Sequence, residues 1–501
     1  MKTIREMPLR GGLARLVDTG KGFSAVLIRN GSIVAKVDDP DGAMAMARLQ
    51  AGHGRIEAAP REPVFTLADG PYRPVAERIE QAEGGVFLTG RAGTGKTTFL
   101  KAFLDETELK AAIVAPSGIA ALNAGGQTIH SLFKLPPAMI QPQDVRRVRE
   151  GRMLRALDLL VIDEISMVRS DLMDAIDRSM RLHRGVARPF GGVRVLCVGD
   201  SAQLPPVVSR EDEPVLQEWF GGPYFFDAPA VKALSWTAIE LQEVFRQSDA
   251  AFLALLDRMR RGRPTLQDAE LLDTRVVGEP PPFSEADGEG AIVLTTTNEA
   301  ARRINDMEMA RLTGPEASYG AKVEGQFDER IFPTDSDLVL RVGARVMLLR
   351  NDADKRWVNG TLATVVDLGK TSVFVRIGGR VHEVEPADWE RYVYEPDADG
   401  EPQRKAVGVF RQVPLRPAWA LTVHKAQGLT FDAVHVDFGR GAFAHGQTYV
   451  ALSRCRTLEG LTLSRHLRRT DVRVDDAAFA FADKAIYADL GAFRVGRIEP
   501  D

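Results

Sequence analysis

Eight consecutive residues carry the strongest chemical pattern in the chain. Gly90-Arg91-Ala92-Gly93-Thr94-Gly95-Lys96-Thr97 has the G-x-x-x-x-G-K-[ST] spacing of a phosphate-binding loop, which needs a strand before it and a helix after it. The apolar residues 86–89 and the helix-forming residues 97–104 supply that context. Glycines let backbone N–H groups wrap phosphates, and a helix N-terminus adds positive potential. Lys96 is placed to reach β- and γ-phosphates, and Thr97 to hold Mg²⁺. The expected nucleotide-binding set is Gly90, Ala92, Gly93, Thr94, Gly95, Lys96, Thr97 and Thr98. A second pattern follows the apolar residues 159–162, where Asp163-Glu164 stands at a strand end. Asp163 is the candidate second Mg²⁺ ligand, directly or through water, and Glu164 the residue that positions or deprotonates an attacking water. The pair favours ATP hydrolysis over nucleotide binding alone. Gln203, just after Gly199-Asp200, has an amide suited to sensing a γ-phosphate; an ordinary polar loop residue is the other reading.

The elements that position these groups read as α/β. Residues 86–89, 112–115, 159–162 and 193–198 are apolar without alternation, as strands buried on both faces of a parallel sheet are. Residues 97–104, 172–182 and 252–260 read as helices, and 291–295 with 433–436 imply a second α/β lobe. Short β runs at 361–366, 372–377, 380–385, 391–395 and 407–413 are separated by Leu368-Gly369-Lys370, Gly378-Gly379 and residues 397–402. That spacing suggests a small barrel inserted in the second lobe. Near the start, residues 23–28 and 32–37 flank the hairpin signal Asn30-Gly31, and residues 43–50 read as a helix, giving a ββα module. Residues 51–63 read as a linker, and 279–289 as an acidic surface loop.

The 501 residues suggest about three domains. Net charge is −4, with 65 Lys+Arg against 69 Asp+Glu. That excludes a wholly basic nucleic-acid coat protein and leaves room for a local basic groove. Fourteen lysines stand beside 51 arginines. Arginine suits phosphate forks, though codon usage is the plainer explanation. Cys197 and Cys455 are the only cysteines, so no disulfide framework or cysteine zinc site is expected and a reducing cytoplasm fits. No run of about 18 apolar residues suggests a membrane span.

Read in order, these segments resemble the motifs of the Pif-type DNA helicases, in the RecD-like, 5′-to-3′ branch of superfamily 1. The resemblance runs from Gly90–Thr97 through Ala115-Pro116-Ser117-Gly118-Ile119-Ala120-Ala121, Gly125-Gly126-Gln127-Thr128-Ile129-His130-Ser131, Asp163-Glu164-Ile165-Ser166-Met167 and residues 199–207. Pro189-Phe190-Gly191-Gly192 is similar to a segment particular to that family. The second half agrees: Leu241-Gln242-Glu243-Val244-Phe245-Arg246-Gln247, Gly343-Ala344-Arg345-Val346-Met347-Leu348, Val358-Asn359-Gly360, Ala420-Leu421-Thr422-Val423-His424-Lys425-Ala426-Gln427-Gly428 and Tyr449-Val450-Ala451-Leu452-Ser453-Arg454.

The resemblance covers about residues 80–465. It implies two RecA-like P-loop NTPase lobes with parallel sheets and a small inserted Src-homology-3-like β-barrel. ATP, with Mg²⁺, would sit between the lobes, and single-stranded DNA would cross both. Arg246 and Arg454 would be arginine fingers from the second lobe, Gln203 a γ-phosphate sensor and Gly428 a further nucleotide contact. Ser117, Gly118, His130 and Ser131 would lie on the DNA path in the first lobe, and Thr422, His424 and Lys425 in the second. Hydroxyls, amides and a few cations are what phosphate tracking needs. Residues 134–155 lie where the family has its wedge. Two clusters, Arg146, Arg147, Arg149, Arg152, Arg155 and Arg178, Arg181, Arg184, Arg188, read equally as duplex contacts or solvated helix faces.

The expected domains are 1–63 (the ββα module and linker, a candidate docking site), 64–240 (first lobe), 241–345 with 414–501 (second lobe) and 346–413 (barrel). The expected function is an ATP-dependent helicase that moves 5′ to 3′ on single-stranded DNA and opens tailed or forked duplexes, in the bacterial cytoplasm and in the setting of DNA repair and recombination. A strand translocase without productive unwinding and a regulatory nucleotide-binding scaffold remain open, as does an RNA–DNA hybrid substrate. Two departures stand out. No Gln occupies the usual place upstream of the phosphate loop, where the chain reads Gly70-Pro71-Tyr72-Arg73, and Ser201-Ala202 replaces the family's Phe after Gly-Asp.

Overall fold

The computed structural model describes four strands between residues 2 and 39, Leu67, and residues 72–500 other than 149–150, 248, 282–289, 353, 355 and 397–401. The helix expected at 43–50, the linker 51–63, most of the acidic loop and the turn residues 30–31 and 397–401 lie outside the described residues.

The unalternating apolar runs form the middle of the first lobe's sheet. Gly85–Gly90 is buried along its whole length and lies between Trp236–Leu241 and Arg194–Val198. Leu159–Ile162, Ala111–Ala115 and Gln127–Thr128 follow outward, and all these pairings are parallel. Helix Lys96–Glu106 buries Phe99, Leu100 and Phe103 in the same core as Met173, Ile176 and Met180 of helix Ser170–Arg184. The phosphate loop, Asp163 and Asp200 each follow the C-terminal end of one of three adjacent strands. In an open α/β sheet that edge is where ligands bind.

The second lobe is built on four parallel strands in the order Ala420–Thr422, Ile292–Thr295, Val434–Asp437, Leu461–Leu463. Its strands were legible at 291–295 and 433–436. Two boundaries, however, need correction. Residues 486–498 belong to the first lobe rather than to a second-lobe segment 414–501. The hairpin Ile486–Asp489/Phe493–Ile498 adds antiparallel to Trp236–Leu241, with Trp236 opposite Ile498 and Leu241 opposite Phe493. The first sheet is therefore mixed, not wholly parallel. This hairpin stands at the sheet's edge, and apart from Phe493, Gly496 and Ile498 its residues are exposed or half-buried, so its sequence names no partner strand some 250 residues away.

The inserted β region is also larger than 346–413. It begins at Glu316–Gly320, which pairs with Asp337–Arg341, and it ends at Leu415–Pro417. Tyr319, Leu338 and Leu340 share one core with Val346, Val365, Val375 and Leu415. The early strands are largely exposed and polar, so they carry little apolar signal. The central ladder runs Arg380–Val384, Val373–Ile377, Leu362–Leu368, Arg345–Leu348, Leu415–Pro417. Beside it stands a long hairpin, Ala387–Pro396/Pro402–Gln412. Among the described residues no ladder pairing joins its two outer strands.

At the start of the chain, Phe23–Arg29 and Ser32–Asp39 pair antiparallel as the hairpin signal requires, with Arg29 opposite Ser32. Two strands precede them, Lys2–Leu9 and Gly12–Asp18, making a four-stranded meander in place of the expected ββ pair.

Phe493 and Ile498 are buried against the first lobe. Phe493→Ala is expected to cost about 3 kcal/mol or more, the range for deleting a buried phenyl ring. Urea unfolding followed through tryptophan fluorescence, to which the fully buried Trp236 contributes, checks this; an unchanged midpoint would refute the hairpin's place in the sheet.

Candidate functional site

The phosphate loop bends because its glycines can. Gly93 and Gly95 have φ of 86° and 80°, left-handed values that favour glycine. A Cβ on Gly93 would stand 2.5 Å from that of Arg246. Gly95 starts helix Lys96–Glu106 without a side-chain cap, which leaves that helix's first N–H groups for an anion. Lys96 Nζ donates to the carbonyls of Gly90 (2.7 Å) and Arg91 (3.0 Å), folding back on its own loop. Burial lowers the Lys96 pKa from the usual ammonium range.

A cleft of about 540 Å³ opens over this loop. Ala92, Gly93, Thr94, Gly95, Lys96, Thr97, Thr98, Asp163, Glu164, Gln203, Arg246, Gly428 and Arg454 line it, so the structure brings these expected residues together. Gly90 is the exception: it ends the strand at φ 151° and offers its carbonyl to Lys96 instead. Gly199, Phe245, Thr430 and Arg456 join the wall. Thr97 and Asp163 present hard oxygens, the donor type Mg²⁺ takes.

Glu164 sits at φ 51°, ψ 45°, a left-handed backbone uncommon outside glycine. Its N–H donates to Asp163 Oδ1 at 2.9 Å. Burial first, and Asp163 beside it second, push the Glu164 carboxyl up to about 7. Burial also raises the Asp163 pKa. Asp200 is the opposite case: burial would raise it, but Arg260 and Lys96 hold it below the usual carboxylate range.

Asp200 is the hub of the cleft floor. Arg260, from helix Ala250–Arg260, donates to it through Nη2 (2.8 Å) and Nε (3.2 Å). Tyr449 Oη donates to Asp200 Oδ2 at 3.4 Å and accepts the Ala92 N–H at 2.9 Å, so a tyrosine of the second lobe ties down one amide of the phosphate loop. Sequence reasoning missed Arg260 and gave Tyr449 no role. No local signal marks a buried pair 60 residues apart.

Both candidate arginine fingers reach the cleft, donating to backbone carbonyls and, for Arg454, to a serine hydroxyl. Arg246 leans on Gly93 and donates to the carbonyls of Ser453 (3.2 Å) and Gly428 (3.3 Å). It therefore spans the two lobes rather than arriving wholly from the second. Burial lowers the Arg246 pKa to about 10, still charged at neutral pH. Arg454 donates to Val450 O, Leu429 O and Ser453 Oγ. Gln427 donates to Glu164 Oε2 at 2.9 Å and to Gln203 Oε1 at 3.1 Å.

The residues expected on a strand path fall in two groups. Ser117 caps helix Gly118–Ala124, its Oγ accepting the Ala120 N–H. A Cβ on Gly118 would meet Ile331 of the inserted region at 2.2 Å. Ser131 Oγ donates to Gln127 Oε1 (3.3 Å) and accepts from Arg391 Nη2 of the inserted hairpin (3.2 Å). The inserted region thus lies directly over Gly118 and Ser131. His130 is half-buried, and burial lowers its pKa, leaving a neutral ring at pH 7. In the second lobe Thr422 is 3% exposed and its Oγ1 accepts the Lys425 N–H, so it serves a turn rather than an open surface. His424 faces the exposed ring of Phe443, 6.5 Å away and near parallel. Lys425 is exposed, and Arg416 and Arg302 are close enough to act on its charge.

The second arginine cluster is largely used inside the fold. Arg178 and Arg181 pair with Asp174 and Asp177. Arg184 donates to Gly191 O, Leu154 O, Arg155 O and Leu157 O, closing helix Gly151–Ala156. Pro189–Gly192 is a left-handed turn whose Phe190 N–H donates to Asp177.

The family model described as PIF1-like helicase matches residues 70–266, and that for the DNA helicase Pif1 2B domain matches residues 328–368. The chain is 32% identical over 432 residues to the ATP-dependent DNA helicase Pif1 of Bdellovibrio bacteriovorus, covering 84% of this chain and 92% of that protein. It is 31% identical over 422 residues to the ATP-dependent DNA helicase PIF1 of Danio rerio, covering 80% of this chain but 62% of the fish protein. It therefore spans less than two thirds of that relative's length. Among solved structures it is similar to unliganded Pif1 from a Bacteroides species, with 36% identity and a TM-score of 0.75 over 84% of this chain and 97% of that one.

Arg260→Met should destabilise the protein by about 3–5 kcal/mol, because it strands a buried carboxylate. Adding Asp200→Leu should restore most of the loss. A double-mutant cycle by urea unfolding checks this; a near-neutral single variant would mean that Asp200 does not depend on the pair.

Proposed function

The chain belongs to the PIF1-like helicase family, and from that premise we propose that it is an ATP-dependent DNA helicase that moves 5′ to 3′ along single-stranded DNA and opens tailed or forked duplexes. One observation carries the reading: Lys96, Glu164, Arg246 and Arg454, drawn from four distant segments, line a single cleft between the lobes. A scaffold that only binds nucleotide needs neither a buried carboxylate near neutrality nor two guanidiniums facing it.

In this mechanism Lys96 leaves the carbonyls of Gly90 and Arg91 for the β- and γ-phosphates. Thr97 and Asp163 would hold Mg²⁺, which supplies charge neutralisation on the phosphate oxygens. Glu164 accepts the proton of the attacking water. Arg246 and Arg454 stabilise the charge growing on the transferred phosphoryl group. Gln203 senses the γ-phosphate. Ser117, Gly118, His130 and Ser131 form one strand grip, and His424 with Lys425 the other; each round of cleft closure and opening exchanges them. An RNA–DNA hybrid is a further candidate substrate, since backbone tracking need not read the 2′-OH. Action beside DNA in the cytoplasm belongs to the same proposal.

Lys96→Ala should lower strand-stimulated ATP hydrolysis by about 10³-fold or more, and turnover retained in pure protein would sink the assignment. Partial duplexes test direction: unwinding should need a 5′ tail, and preference for a 3′ tail would refute the polarity. The pH profile tests the base. Glu164 works deprotonated, so with its carboxyl near 7 kcat/KM for ATP should fall about tenfold from pH 8 to pH 6. A flat profile there would remove Glu164 from the role.

A further inference from the structure

We propose that Gln427 is a positioning residue that keeps Glu164 idle until a nucleic-acid strand is gripped, and so couples strand binding to hydrolysis. The inference rests on the reading above, in which His424 and Lys425 touch the strand and Glu164 is the base.

Gln427 is the residue through which the second lobe's strand segment touches the base. Its side-chain amide donates to Glu164 Oε2 (2.9 Å) and Gln203 Oε1 (3.1 Å), so one NH₂ group holds both first-lobe residues that would face the γ-phosphate and its water. Its backbone is knotted to the strand segment. The Gln427 N–H donates to His424 O (3.2 Å), the Ala426 N–H to Thr422 O (3.0 Å) and the Leu429 N–H to Ala426 O (3.0 Å). The Lys425 N–H donates to Thr422 Oγ1 (3.3 Å). Residues 422–429 are therefore nested turns that shift as one piece. A phosphate drawn onto His424 or Lys425 must move Gln427 with them.

The chemistry of the contact sets its sign. While the amide N–H occupies Oε2, that oxygen faces the second lobe and is not open to a hydrogen bond from the attacking water. Withdrawing Gln427 frees Oε2. Asp163, Lys96, Arg454 and Asp200 also act on Glu164, and none of them is carried on residues 422–429.

The test is Gln427→Ala in the full chain, assayed for ATP hydrolysis with and without oligo-dT and for oligo-dT affinity by fluorescence anisotropy. Loss of one hydrogen bond to a charged group should raise the strand-free rate about tenfold, with the strand-stimulated rate and the affinity each within about twofold of wild type. The gain should lie in kcat, with KM for ATP within about twofold of wild type; a merely structural role would lower kcat both with and without the strand. Gln427→Glu, which keeps the side-chain length but has no N–H to donate, should likewise raise the strand-free rate. A strand-free rate that stays at the wild-type level overturns the proposal, whether the stimulated rate is kept or lost. A wild type indifferent to oligo-dT overturns the helicase reading and the gate together, whereas a stimulated wild type with an unchanged variant overturns the gate alone.

Discussion

Asp200 is the one charge on which the rest of the cleft depends. It lies at the end of a central strand, 1% exposed, where an isolated carboxylate could not remain ionised. Arg260 answers it through two nitrogens, Nε and Nη2, and Tyr449 through its hydroxyl. Each partner then fixes something else. Arg260 locks helix Ala250–Arg260 onto the first sheet, and Tyr449 holds Ala92 in the phosphate loop. The Asp200 charge also acts on Lys96 and Glu164. The two lobes are joined at their floor by a desolvated network, which is stiff because breaking any one member leaves another unpaired.

That network explains which parts of the molecule could be read from the chain. The phosphate loop and the Asp163-Glu164 pair are local chemistry on buried strands, where adjacent residues carry the whole signal. The central strands were legible for the same reason: runs such as residues 159–162 have no polar face to disguise them. Arg260 and Tyr449 were not legible in role, since their meaning lies in a partner brought near only by folding. The edge elements were lost for a different reason. The strands at 316–325 and the C-terminal hairpin bury few side chains, so their sequences resemble ordinary surface, and only pairing assigns them to a sheet.

The abundance of arginine also takes on a structural sense. Several guanidiniums do the work of caps. Arg184 gathers four backbone carbonyls between residues 154–157 and the turn at 189–192, and Arg454 and Arg246 satisfy loop carbonyls in the second lobe. A planar fork with five donors suits that task better than a lysine does. The two cleft arginines are thus held on neutral oxygens, and Glu164 and Asp200 are near enough to act on the charge of Arg454.

The C-terminal hairpin has a mechanical consequence. The chain leaves the first sheet after Leu241 and has returned to it by Ile486, so the second lobe is attached at two places. At the sheet edge the outgoing and returning segments lie side by side, where the Gln242 N–H donates to Ala492 O at 2.9 Å. A body held by one tether can swivel about it in any direction. A body held by two keeps essentially one free axis, like a door on a pair of pins. Cleft motion in this protein is in that sense a swing with a set path, and the residues that meet when it shuts are chosen by the path as much as by their attraction for one another.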